Sequence, residues 1–157
     1  MIPATNEGCC WAFIMSRLSQ GLSWLFAALL ASSSAAGADA KQCTQEEAMA
    51  AETEAEGLKT WPEIFQSFRR YAHCDDAAIS EGYSASVATL IADRWDLILQ
   101  LNALAGAHPA FRAFVLRHLD ETMNADQVVT IRENAQGHCP KGAKALCSAI
   151  YARLTEP

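Results

Sequence analysis

Apolar side chains recur three and four positions apart through the middle of the chain. Val87, Leu90, Ile91, Trp95 and Ile98 form one stripe, and Leu97, Leu101 and Leu104 widen it. Such a stripe keeps the period of an α-helix, and its width predicts a central helix touched on more than one side. That helix is expected to end before Gly106-Ala107-His108-Pro109. Pro109 suits a first helical turn, and Phe111, Phe114, Val115, Leu119 and Met123 then predict the next amphipathic helix. Asn124 and Gln127 stand in capping-box spacing ahead of Val128, Ile131 and Ala135, and Gly137 closes that segment. A last helix carries Ala143, Leu146, Cys147, Ile150 and Leu154 on one side.

Upstream of the centre, residues 44–57 open with Thr44 and Glu47, again in capping-box spacing, but offer mostly Ala and Glu and little bulk for a core. Thr60-Trp61-Pro62-Glu63 repeats the start signal, and Trp61, Ile64, Phe65, Phe68 and Ala72 share a face up to Cys74. Residues 75–86 are the least regular. Asp75-Asp76 can cap a helix, while Gly82-Tyr83-Ser84 is expected to weaken or break it before the central helix begins. No stretch alternates as a strand would, and no repeat is present. The class is all-α, a compact bundle of about five to six short helices.

The first forty residues read differently. From Met15 the chain runs through Arg17, an uncharged apolar segment at residues 22–31, and Ala38-Asp39-Ala40, the order of a cleavable secretory signal peptide. The apolar segment is too short to span a bilayer core, which takes about 20 residues, so no stable membrane anchor is expected. The expected organisation is an N-terminal extension at 1–14, a signal peptide at 15–40 and a single helical domain at 41–157. If Met15 is the true start, Cys9 and Cys10 are never made.

Composition narrows the partners. The chain is 51% hydrophobic and 19% charged with a formal net charge of -6, which argues against a nucleic-acid binder and favours a basic partner. Removal of the leader leaves a charge of about -5. The exported part keeps Cys43, Cys74, Cys139 and Cys147, an even number in a small secreted domain, the arithmetic of a disulfide framework. Of three pairings, an antiparallel helical hairpin favours Cys43 with Cys74, leaving Cys139 and Cys147 to pair locally. The rival is a zinc site of His73, Cys74, His138 and Cys139, weakened by the absence of the usual ligand spacings.

No nucleophile elbow, zinc-protease helix, phosphate loop or haem attachment motif occurs, so the chain is expected not to be an enzyme and to need no cofactor or metal. The best catalytic constellation is His73 with Asp75, Asp76 and Glu81, set against the plainer reading of a cap beside a disulfide. His108 reads as a turn residue, His118 as core or boundary packing, and Trp61 and Trp95 as packing residues. Arg69-Arg70 most simply faces water. The most partner-like feature is the irregular acidic segment, with Asp75, Asp76, Glu81 and an exposed Tyr83 available to a basic cleft, against the plainer reading of a solvated connection between helices.

The order of these features resembles the small exported immunity proteins of bacterial type VI secretion that neutralise peptidoglycan amidase toxins. What carries it is the signal peptide, the helix ending in His73-Cys74, the acidic turn, Ser86-Val87-Ala88-Thr89-Leu90-Ile91-Ala92-Asp93-Arg94-Trp95, and the closing Cys139-Pro140 to Leu146-Cys147. The resemblance implies a periplasmic protein that blocks a toxin's active-site cleft, commonly as a homodimer, and does no chemistry itself. It transfers no individual contact residue. The alternative is an exported helical interaction or assembly module with another partner and no inhibitory role.

Overall fold

A computed structural model of the chain describes residues 41–155; the expected extension and signal peptide lie outside the described residues. Seven α-helices follow one another: α1 Gln45–Ala55, α2 Trp61–Tyr71, α3 Ala77–Asp93, α4 Ile98–Ala107, α5 Pro109–Arg117, α6 Ala125–Gly137 and α7 Lys144–Arg153. Single 3-10 turns at Ala72–Cys74, Trp95–Leu97 and Lys141–Ala143 link them, and no strand occurs among the described residues. The fold is all-α, as the periodicity predicts. No described helix is long and apolar enough to cross a membrane.

The caps explain where helices begin. Thr44 accepts from the Glu47 amide while Glu47 returns a contact to the Thr44 amide, and Asn124 with Gln127 does the same for α6. Both boxes satisfy amides that a helix start otherwise leaves without partners. The Lys41 ammonium, 2.6 Å from Glu47, heads the contacts that pull this carboxyl down to about 2, with Thr44 and His73 adding to it. Thr60 caps α2 ahead of Pro62 in its first turn.

Two boundaries differ from the sequence reading, and the first of them is why the helices exceed the expected number. The apolar stripe from Val87 to Leu104 is cut at Arg94, whose φ of -129° and ψ of 50° leave the helical region. Trp95 then turns its indole N–H to the His138 carbonyl at 3.0 Å, tying the break to the end of α6. Likewise α5 stops at Arg117, so Met123 is not part of it: Asp120 accepts from the Thr122 amide and hydroxyl at 2.9 and 2.6 Å and folds the chain into a turn.

The expected break at Gly82-Tyr83-Ser84 does not occur, and α3 runs through it. Gly82 serves close packing instead. A Cβ there would lie 3.0 Å from the Ala55 Cβ and 3.4 Å from the Ala55 carbonyl carbon. Ala51 and Ala55 are fully buried, and the Ser86 hydroxyl donates to the Ala55 carbonyl at 2.7 Å. The small side chains of α1 therefore do not fill the core; they let α1 approach α3.

The core gathers around α3. Ile64, Val87, Ile91, Leu101, Phe111, Val115, Ile131 and Ile150 are buried with Trp61 and Tyr83. Phe65 and Phe111 meet edge to face at 5.0 Å, Phe68 and Phe114 lie tilted to each other at 5.0 Å, and Tyr83 stands edge-on to Phe114 at 5.0 Å. Such aromatic pairs add stability beyond their buried area. His108 does more than turn the chain, since it stacks on Phe65 at 4.5 Å.

Cys43 bridges Cys74 and Cys139 bridges Cys147, the favoured pairing, so all four cysteines are spent in disulfides and the zinc quartet with His138 does not form. With sequence separations of 31 and 8, the chain-entropy model assigns roughly 3 to 4 kcal/mol to the first bridge and roughly 2 to 3 to the second. Two such bridges mark a protein of an oxidising compartment.

Gly82→Ala gains about 1 kcal/mol of helix propensity but forces α1 and α3 apart. We expect net destabilisation of about 1 kcal/mol in urea unfolding, and more for Gly82→Val. A more stable Gly82→Ala protein would show that the contact yields freely.

Candidate functional site

The four residues singled out around the acidic segment meet four different fates. Asp75 closes the 3-10 turn after α2 and turns inward. Its carboxylate is 2% exposed and lies between the Arg117 guanidinium and His118, whose Nε2 is 3.1 Å away. Asp76 caps α3, accepting from the Ala77 amide at 2.8 Å. Ala77 follows with a φ of 46°, a left-handed turn that an alanine rarely takes and that redirects the chain into α3.

Tyr83 is a correction. It was expected to face a partner, yet it is fully buried, its hydroxyl 2.8 Å from that of Ser67, so it cannot touch one. Burial pushes its phenol up, with the Ser67 hydrogen bond opposing. The reason is helical phase: an unbroken α3 places Tyr83 with Val87 and Leu90 on the core side.

Glu81 alone of the four lines a groove. With Ser84, Ala85 and Ala88 of α3 on one side and Thr122, Met123 and Gln127 on the other, it borders a depression of about 460 Å³. No lining side chain is basic. Ser84 also donates to Asp120 at 2.7 Å, which locks the turn to α3. Burial pushes the Asp120 carboxyl up, but donors from Thr122 and Ser84 outweigh it and hold the group below its ordinary value. A fixed carboxylate thus binds two of the groove's lining residues, Ser84 and Thr122, and Glu81 is the acidic residue of the lining itself.

Asp75 behaves alike for a different reason. Burial raises its carboxyl, and the hydrogen bonds and charges of His118 and Arg117 more than reverse the effect, so the net direction is down. His118 is 1% exposed and spends both ring nitrogens, Nδ1 on the Phe114 carbonyl at 2.8 Å and Nε2 on Asp75.

Ser80 lies 3.4 Å from the same Nε2, which puts serine, histidine and aspartate together. It is not the arrangement of a nucleophile relay. There the serine and the carboxylate address opposite ring nitrogens, whereas here both address one and the backbone holds the other. The constellation of His73, Asp75, Asp76 and Glu81 is also dispersed: His73 faces Glu47, Asp75 faces His118, Asp76 caps a helix and Glu81 opens on the groove. Arg69 and Arg70 are both exposed, as expected of cations facing water, with Arg70 paired to Glu54 and Arg69 over the Phe65 ring.

Sequence reasoning missed Ser84, Asp120, Thr122 and Gln127, which complete the groove from two segments about forty residues apart. Only the Asn124–Gln127 capping signal marked that far wall. Compared with known proteins, the chain matches no family model, no curated protein and no solved structure.

Asp75→Ala leaves the buried His118 Nε2 without its Asp75 partner, and such a loss should destabilise by about 1–3 kcal/mol at neutral pH. The pH dependence follows from the depressed carboxyl. Its contribution is complete above the unfolded value of about 3.9 and is lost as pH falls through the lower folded value. Urea midpoints of the two proteins should therefore converge in acid. A gap under about 1 kcal/mol, or one that ignores pH, would contradict the pair's importance.

Proposed function

We propose that this protein is an exported inhibitor, an immunity protein that binds and blocks a peptidoglycan amidase toxin and performs no catalysis. The observation that carries the reading is the acid-bordered groove between α3 and the turn at Asp120, with Glu81 at its lip and no basic side chain in its lining. A partner that presents basic side chains around its own cleft would find there both charge and shape. The negative net charge would speed the encounter, and the two disulfides would keep the docking face rigid outside the cell.

In this reading the leader at 15–40 directs the chain to the periplasm and is removed. The inhibitor acts by steric occlusion: Glu81 anchors at the rim of the enzyme's cleft, and Thr122 and Gln127 supply hydrogen-bonding groups beside it. The buried Asp75 takes no part in contact; it holds α3 and the end of α5 in register behind the groove.

The test uses protein starting at Lys41 with the amidase encoded beside its gene, following peptidoglycan cleavage. Glu81→Lys reverses the charge of the one acidic lining residue and Ala85→Trp, at an exposed lining position, fills the groove. Each should weaken inhibition at least about tenfold with unchanged unfolding midpoints, and raised salt should weaken the wild-type complex. Full inhibition by both variants would move the contact elsewhere. Binding without any fall in enzyme activity would favour the exported assembly module.

A further inference from the structure

The open end of the α1–α2 hairpin gathers a second set of groups, remote in role from the groove. Cys43 and Cys74 are bridged there with Cα atoms 4.9 Å apart. Glu47 stands in the first turn of α1 and His73 beside Cys74. A Glu47 carboxylate oxygen, a His73 ring nitrogen and the Cys74 sulfur all lie within 4.8 Å of one another. Cys43 Sγ, bonded to Cys74, belongs to the same corner.

His73 Nε2 is the informative atom. It is buried and 3.3 Å from Glu47 Oε2, yet it makes no aligned hydrogen bond. Among the described residues only this atom and Trp61 Nε1 are buried side-chain polar atoms without a partner. For His73 Nε2 the one polar neighbour is this loosely aligned Glu47 oxygen, and the Cys74 sulfur completes a cluster of metal-ligating atoms around it.

With the bridge closed, the sulfurs bond to each other and only Glu47 and His73 are free to ligate. We propose that reduction of the Cys43–Cys74 bridge turns this corner into a tetrahedral site for a zinc-class cation, held by both thiolates, His73 Nε2 and the Glu47 carboxylate. A dithiol reductant gives two electrons and two protons to the bridge: the S–S bond breaks, two thiols form, and the reductant leaves as its own disulfide. The cation then displaces both thiol protons to solvent as two metal–sulfur bonds form. Two sulfurs, one imidazole nitrogen and one carboxylate suit zinc's preference for four N, S and O ligands.

Little movement is needed. Bonds of about 2.0–2.3 Å set tetrahedral ligand atoms roughly 3.3–3.8 Å apart, so the Glu47, His73 and Cys74 atoms, already within 4.8 Å of one another, close by about 1 Å, while the Cys43 sulfur, bonded to that of Cys74 in the bridge, moves away from it to the same spacing. Glu47 Oε2 would give up its contacts to Thr44, while Oε1 can keep Lys41. The start of α1 is thus tied to the end of α2 in either state, by a covalent bond when oxidised and by a cation when reduced.

The experiment reduces the chain from Lys41 onward with a phosphine, which competes weakly for zinc, removes it without air, and titrates zinc against a chromophoric chelator. It is run on the wild type and on a Cys139→Ser, Cys147→Ser protein that retains only the one thiol pair. We expect one zinc per chain in both after reduction and none before it, with cobalt giving the spectrum of a tetrahedral two-thiolate site. His73→Ala and Glu47→Ala should each weaken zinc by more than about tenfold, since even partners outside the ligand sphere cost that much. Three results would each overturn the proposal: no zinc bound by either reduced protein, an affinity unchanged in His73→Ala or Glu47→Ala, or a loss of helix on reduction that zinc does not reverse.

Discussion

A carboxylate and an imidazole, both almost wholly enclosed, hold the middle of this protein in register. Asp75 ends the segment that leaves α2, and His118 ends α5, so their contact closes a span of 43 residues. On one side of the pair lies the aromatic cluster, where Phe114 and Tyr83 both pack against the His118 ring. On the other side His118 leads directly into Leu119 and Asp120, whose turn forms the far wall of the groove. Buried hydrogen-bonded groups contribute modestly to net stability, but leaving one without the other is costly. Their role here is positional: they fix which face of α3 is core and which is groove.

That division explains how one helix serves two ends. Tyr83, Val87 and Leu90 on α3 face the core, while Glu81, Ser84 and Ala88 border the groove. Ser84 is buried yet belongs to both, because its hydroxyl reaches Asp120. Ala51, Ala55 and Gly82 matter for the same reason, since only small side chains let α1 support α3 closely enough to keep it straight.

Much of this was legible in the chain. The capping boxes at Thr44 and Asn124, the apolar periods of α2 and α5, and the disulfide pairing all rest on local rules, and local rules are what a single sequence displays. What failed depended on distant partners. Gly82-Tyr83-Ser84 carries the same local signal whether it breaks a helix or admits another helix beside it, and only Ala55 decides between them. The stripe from Val87 to Leu104 gave no sign of its break, because the Trp95 indole finds its acceptor at His138, 43 residues away. Of the acidic segment, the sequence marked the concentration of charge; the direction each side chain takes followed from His118, Arg117 and Asp120, which lie in another part of the chain.

The placement of the two bridges has a mechanical consequence. One closes a loop over α1 and α2, the other a short loop at the entry to α7, and α3 to α6 lie outside both. Pulled from its two ends, the oxidised chain cannot extend the residues inside either loop, so applied tension acts on α3 to α6 and on the segments beyond the bridges. Among these helices, α3 and the end of α5 are the ones tied together through Asp75, His118 and Ser84. Force, or a protease that waits for a transient opening, would therefore meet the groove-bearing centre first, while the hairpin of α1 and α2 stayed closed.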